Sequence, residues 1–531
     1  MTELPDLQKA ISKSNLWWIV SFCFLLALVV FGTFKAPLGD FGNYYFGSKL
    51  LLLGQFDACI YEPYCFNSLI QNFIGRSVFL NYTPVPPITA LFYIPFTFMP
   101  PVLAKLVFNL LGAAGLWLAS YRVSKRLEIA SFHVFIGLVL MLFPLKSNFD
   151  QGQTYALVIS ALMFGFLFLE KQKTVTAMLW SSAALLKIFP AIAFAYLLLK
   201  RDYKTLFLAV VISAVLLSAS FVLIDPQIWK TYLLEILPRL FKGEINNPFS
   251  SSYQSTTVFL KQLLDEDALL NPNPLIHAPR VFMLLDGLVK LLMVYVFANW
   301  VLAEQKVFAQ FATILFAGLL LTGYGSTYGL LLAFPLVLFS LSKSHSTSVL
   351  MLVLLGLSFS SQVFEKIPFL QDFPFYRLLG FILVLMLVVK STSISIHFKW
   401  LLIPVSLFAV WTLVKPNEQA TGTLLVADQP KLLNERLEVM NQEISMVSFD
   451  GKYSRIELFS WRPAPFGQSD FNTIEHQIFW KGTEITPARF WATSPVLLED
   501  SLLLFLSDEQ RGVGFYAPRI MSLKKHQKSK E

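Results

Sequence analysis

Asp40 opens the stretch DFGNYYFGSKLLLLGQFD, an acid followed by the paired tyrosines Tyr44 and Tyr45 and by a leucine run that Gly54 closes before Asp57. A carboxylate set directly after a strongly apolar segment has the makings of a general base, which needs a positioned group whose charge state its surroundings control. Further polar residues recur at the ends of apolar runs. Tyr82 precedes a TPVPP turn, Asn148, Asp150 and Gln153 form a short cluster, and Lys187 stands between AMLWSSAALL and Ile-Phe-Pro. Gln254 and Ser255 follow Tyr253, while Tyr324 and Tyr328 bracket a Gly-Ser-Thr turn. A lysine in such a place can bind an anion, or it can snorkel to an interface as an anchor. Taken singly, Asp40 can equally be a solvated loop acid or a cap, and Asn148 to Gln153 only a turn. Their meaning depends on whether the elements between them bring them to one face.

Composition makes those elements membrane helices. Of 531 residues, 55% are hydrophobic and 14% charged, and the mean hydropathy is +0.59, beyond what a soluble fold of this length tolerates. The formal charge of +8 does not point to nucleic acid, because the basic residues fall mostly in short loops between apolar runs, where the positive-inside bias puts them. The first apolar segment, Leu16 to Phe34, lacks a small-residue cleavage site and reads as an uncleaved first helix.

A spanning helix needs about 20 apolar residues, so spans and sides are assigned together. With Lys9 and Lys13 inside, residues 35–101 form the first extracytoplasmic loop. Within it, Ile88 to Pro101 is short and proline-flanked and reads as an interfacial or re-entrant helix. Continued alternation, ending in a segment from Phe398 to Val414, places Lys171, Lys173, Lys200, Arg201, Lys306 and Lys343 inside. The expected fold is therefore an all-α polytopic membrane bundle of about 12–13 spans over residues 1–415. Residues 416–520, with alternating stretches such as RIELFSW and HQIFWKG, are expected to form a small, mainly β soluble domain, and 521–531 a basic disordered tail. An odd span count puts the β domain outside. On this topology the polar residues above all reach the outer face. Cys59 and Cys65 share the outer loop as CIYEPYC, where an oxidising compartment would let them close a small disulfide loop, the alternative being two unpaired thiols.

At this point the order of motifs becomes specific: DFxxYY and LLxG, Tyr82 with Pro84, Pro86 and Pro87, LFYIPFTFMP, Gly152-Gln153, Lys187 with Pro190, then Gln254-Ser255. Over roughly residues 10–345 it resembles the polyprenyl-phosphate-sugar-dependent glycosyltransferases of family eighty-seven, the group of the phosphatidylinositol mannoside mannosyltransferases in the C-type superfamily. The resemblance implies an inverting transfer of a mannose-like sugar to a glycolipid or glycan acceptor. It implies that Asp40 is the general base, that Lys187 contacts the donor phosphate, and that Gly152 and Gln153 line the site. Asn148 and Asp150 are further lining candidates, and Tyr44, Tyr45, Tyr82, Gln254, Ser255, Tyr324 and Tyr328 candidates for substrate binding. Two departures stand out. Tyr253 replaces an asparagine before Gln254-Ser255, and the late span end, where many members carry histidine, reads Thr322-Gly-Tyr324-Gly-Ser-Thr327-Tyr328.

The chemistry fits those residues without a cofactor. A leaving group that is already an ionised phosphate ester needs a cation rather than an acid, and a donor with one phosphate does not require a metal, although Asp40, Asp57 and Asp150 could in principle gather a divalent cation. The expected partners are the lipid-linked donor, the acceptor and membrane lipids, in the cytoplasmic membrane with the active site outside. A transporter or flippase of lipid-linked saccharides is the rival reading; it calls for mid-membrane ionisable residues and a repeat.

Overall fold

The computed structural model describes residues 4–74, 78–250, 252–267, 270–323, 325–342, 346–360 and 375–390, and toward the C-terminus 423–424, 435–440, 443–448, 453–455, 471–474, 477–486, 491–498, 502–508, 513 and 516–523. The last expected span (398–414), the RIELFSW stretch beyond Arg455, Tyr324 and the basic residues from 524 onward lie outside the described residues.

Up to residue 390 the described chain is almost wholly helical, and it is a multi-pass membrane protein. Four helices are long and apolar enough to cross a bilayer: Asn15–Lys35, Pro101–Leu127, Tyr203–Leu223 and Pro279–Ala303. A fifth crossing is available if Ser131–Leu140 and Leu142–Gln151, bent by 65° at their junction, act as one. The remaining apolar helices, among them Tyr155–Phe168, Phe189–Leu199, Val307–Leu321 and Thr327–Leu341, are shorter. Val307–Leu321 and Thr327–Leu341 lie mostly inside the bundle, whereas Ser348–Phe359 and Tyr376–Leu387 keep apolar side chains such as Val349, Val353 and Met386 exposed. Val307–Leu321 is buried on nearly every face, and its Phe311 stacks on Trp180 and Phe166 with ring centroids 5.8 and 4.8 Å apart. The segment read as interfacial forms a five-residue helix, Thr89–Tyr93, and a 3-10 turn, Ile94–Phe98, too short to span.

The polar loop chain between the first and second long helices folds into a compact cap. Phe41–Leu52 packs on Thr89–Phe98 and on Pro63–Ile74, and Phe41, Tyr93, Phe96 and Phe108 form an aromatic cluster with centroids 5.1–6.4 Å apart. Cys59 and Cys65 are joined by a disulfide whose Cα atoms lie 5.7 Å apart.

From residue 423 most of the described residues are in strands. Thr423–Leu424, Ala517–Ser522, Leu502–Ser507 and Ala492–Leu498 pair antiparallel in that spatial order, and two three-stranded sheets accompany them. Gln477–Trp480 comes from the HQIFWKG stretch.

Candidate functional site

Two helix ends and one helix break place the polar residues. Asp40 is the N-cap residue of Phe41–Leu52, yet its side chain makes no capping bond. Its carboxylate is therefore available to something else. The Leu142–Gln151 helix ends at Gly152, whose φ of +65° is the left-handed conformation that glycine adopts without a Cβ clash. The N–H of Gln153 then turns back to the Asn148 carbonyl at 2.8 Å, and its side chain faces Asp40. Lys187 is extended (φ −146°, ψ 131°) between the end of Lys173–Leu186 and the 3-10 turn Phe189–Ala191, with Pro190 preventing the helix from running on.

These three positions join in one hydrogen-bonded chain. Lys187 Nζ donates to the Tyr44 hydroxyl at 3.0 Å, Tyr44 donates to Gln153 Oε1 at 2.7 Å, and Gln153 Nε2 donates to Asp40 Oδ2 at 2.6 Å. The ammonium also lies 5.4 Å from the Tyr44 ring centroid and 5.7 Å from that of Tyr155, within cation–π range. All of these residues line a cavity of about 660 Å³. Tyr253, Tyr328, Asn81 and Asn246 line it too, and Leu319, Leu320, Leu378 and Phe381 give it an apolar stretch.

The electrostatics follow from enclosure. Burial raises the Asp40 pKa above its ordinary 3.8, opposed by the Gln153 hydrogen bond and by the charges of Lys187 and Lys105. Burial pushes Lys187 down to about 8, opposed by Asp40. Burial also holds the Tyr44 hydroxyl well above its usual range, with Tyr93 and Asp40 adding to the effect, so it stays a proton donor to Gln153. By exposed area, Asp40 and Lys187 are only half-buried, and both line the cavity.

Other expected residues are drawn into the scaffold instead. Tyr45 sends its hydroxyl to the Met99 carbonyl at 2.9 Å and so ties two cap helices together. Tyr82 is fully buried among Phe56, Tyr61 and Phe66, pressed against Gly47. Asn148 accepts from the N–H of Ala156 at 3.3 Å, holding the start of Tyr155–Phe168. Asp150 pairs with Lys146, and with Lys35 at 3.8 Å, while Asp57 caps a turn by accepting from Cys59 N at 2.9 Å. Asp57 and Asp150 thus each have a local partner, and none of these five lines the cavity.

Gln254 and Ser255 do line it, but with Gln254 Oε1 and Ser255 Oγ engaged. Gln254 Oε1 accepts from Arg377 N at 2.8 Å; Ser255 Oγ donates to the Gly323 carbonyl at 2.9 Å and accepts from Val258 N at 3.2 Å. Tyr328 packs on Tyr155 with centroids 5.5 Å apart.

Sequence reasoning missed Tyr155, two residues after Gln153, and Lys105. The signal for Lys105 was present, since an ionisable residue inside an apolar helix is functional by default. Lys105 is fully buried and its ammonium donates to the carbonyls of Ala36 and, at 2.6 Å, Asp150. It thereby ties the linker before Asp40 to the helix that precedes Gln153.

Residues 82–335 match the family model of glycosyltransferase family 87. The matched segment holds Gln153, Lys187, Gln254, Ser255 and Tyr328, while Asp40 and Tyr44 precede it and the strands follow it. No curated protein matches the chain. The family match supports the resemblance seen in the motif order, and together with the apolar helices it marks the chain as a membrane glycosyltransferase.

Proposed function

With a membrane glycosyltransferase related to family 87 as the premise, we propose that the chain transfers a mannose-like sugar, with inversion, from a polyprenyl-monophosphate donor to a glycolipid or glycan hydroxyl. The observation that carries the reading is the continuous chain from Lys187 through Tyr44 and Gln153 to Asp40 inside one cavity. It holds one cation and one carboxylate in fixed relation, which is what a single displacement at a sugar carbon requires.

In the proposed step the acceptor oxygen attacks the anomeric carbon as the bond from that carbon to the phosphate oxygen breaks. The acceptor proton passes to the Asp40 carboxylate, and the bonding electron pair leaves on the phosphate oxygen, whose growing negative charge Lys187 stabilises in a partly desolvated setting. A single carboxylate suffices because the leaving group needs no proton. The part-exposed tyrosines Tyr253 and Tyr328 at the cavity offer rings on which a sugar can stack, and the apolar stretch suits the first isoprene units of the donor. The Cys59–Cys65 disulfide supports placing the loop that carries Asp40 on the extracytoplasmic side, because such bonds persist in oxidising compartments.

The deciding experiment uses the purified full chain with a polyprenyl-monophosphate mannose probe and membrane glycolipid extract. Asp40→Asn should reduce transfer by about 10²–10⁴-fold while leaving thermal unfolding and donor binding intact. Transfer at the wild-type rate by that variant would end the assignment.

A further inference from the structure

The chain from Pro226 to Phe241 runs as three short helical segments, Pro226–Thr231, Tyr232–Ile236 and Leu237–Phe241, and it has two faces. Leu233, Leu234 and Phe241 are exposed, whereas Trp229, Tyr232, Ile236 and Leu240 are buried. The buried face shares one apolar cluster with Trp491, Val513 and Tyr516 of the C-terminal strands and the segments beside them.

Polar contacts lock this union. Arg239 Nη2 lies 2.7 Å from Asp508 Oδ1, with both side chains almost wholly shielded from solvent. The Trp491 indole donates to Glu235 Oε2 at 2.8 Å, its ring lies 5.5 Å from the Arg239 guanidinium, and the N–H of Val513 donates to the Ile245 carbonyl at 3.2 Å. Asp508 is itself fixed on Trp491, exchanging backbone and side-chain hydrogen bonds of 3.0 and 3.1 Å.

The same buried face, with the residues just after the segment, is also cavity wall. Tyr232, Leu240, Ile245 and Asn246 line the cavity that holds Asp40 and Lys187. Gly243 meets Gly323 so closely that a Cβ on Gly323 would stand 3.1 Å from the Gly243 backbone, and the Gly323 carbonyl accepts from Ser255. The path from Asp508 to the cavity therefore crosses a single layer of chain.

We infer that the C-terminal domain is a working part of this transferase, in which Asp508 and Trp491 are positioning residues that set the cavity wall formed by Leu240, Ile245 and Asn246. The inference rests on reading the cavity as the transfer site. A buried ion pair is weak as a source of stability, since apolar replacements of similar volume are commonly neutral, but it fixes geometry closely. What the pair supplies is the register of the wall against the strands.

The test compares the wild-type full chain with Asp508→Asn, Asp508→Glu, and the apolar double variant Arg239→Met with Asp508→Leu, by hydrogen exchange and by binding of undecaprenyl monophosphate. In Asp508→Asn and in the apolar double variant, amides of residues 239–256 should exchange about tenfold faster or more. Exchange in residues 41–52 should hold steady, undecaprenyl monophosphate affinity should fall about fivefold or more as the wall loses its bound arrangement, and Asp508→Glu should recover most of both, an unchanged affinity overturning the working role. Unchanged exchange over 239–256 overturns the inference, as does faster exchange throughout the chain with loss of binding, which would mean a purely structural contact. Failure of the wild type itself to bind undecaprenyl monophosphate would count against the donor assignment, and the exchange comparison would still decide the coupling.

Discussion

The Gln153 side-chain amide donates to the Asp40 carboxylate at 2.6 Å across 113 positions of sequence. Because the amide oxygen of the same residue accepts from Tyr44, its orientation is set from both ends, with nitrogen toward the acid. The carboxylate is held in one direction by a neutral donor, which favours its ionised form without neutralising it as a salt bridge would. On the proposed mechanism Gln153 is a positioning residue between the acid and the lysine.

Gln153→Ala removes a bond that lowers the Asp40 pKa, and Gln153→Glu sets a second carboxylate against the first. Both changes raise the Asp40 pKa, the second by the repulsion of a neighbouring like charge as well. The acid limb of the rate–pH profile should move up in both, so that transfer at pH 6 suffers more than at pH 8. A uniform loss at every pH would mean that Gln153 serves the sugar rather than the base.

The wild-type profile should be bell-shaped. On the proposed mechanism Asp40 acts as base only when ionised, so transfer should rise with pH through its raised pKa; Lys187 acts only when charged, so transfer should fall as pH climbs through about 8. Lys187→Arg keeps the charge at all working pH values and should abolish the alkaline limb. Lys187→Met should cost about 10²–10³-fold in rate, the scale of losing one charge-stabilising group. An alkaline limb that survives in Lys187→Arg assigns it to another group.

Lys105 joins the two segments that carry Asp40 and Gln153 by donating to the Ala36 and Asp150 carbonyls. Lys105→Met keeps the volume but leaves those buried acceptors without the ammonium, at about 1–3 kcal/mol. Thermal unfolding should drop accordingly, and transfer should fall although Lys105 does not line the cavity. Wild-type stability in the variant would show that the carbonyls find other donors.

How much of this was legible depends on the kind of constraint. Apolar run lengths and loop lysines announce helices that cross or enter a membrane, because hydrocarbon leaves the backbone no alternative, and the alternating stretch at residues 476–482 announced the strand Gln477–Trp480. Asp40, Gln153 and Lys187 were legible because motif order singled them out, and they share one cavity. Tyr45, Tyr82, Asn148 and Asp150 carry the same polar chemistry, yet face scaffold. A polar atom at a membrane boundary signals only that it needs a partner, and whether that partner is backbone or substrate is decided in three dimensions. The same limit hid Arg239–Asp508, whose partners lie far apart in sequence with no pattern between them.

Gly152 and Gly54 make a matched pair for separating backbone strain from site geometry. Both have left-handed backbones, with φ of +65° and +68°, so an alanine at either pays the same left-handed penalty of about 1–2 kcal/mol. Their surroundings differ. A Cβ on Gly54 meets nothing within 4 Å, whereas on Gly152 it would stand 2.6 Å from Phe41 Cβ and 3.0 Å from Lys105 Cε. Gly152→Ala should therefore lose an additional amount of about 1–3 kcal/mol from overpacking. The displaced turn should also carry Gln153 off Asp40, so transfer falls and the acid limb of the pH profile moves up. Gly54→Ala should unfold slightly earlier and transfer sugar with an unaltered pH profile. Equal effects of the two substitutions on stability and on the profile would mean that the Gly152 turn does not aim Gln153.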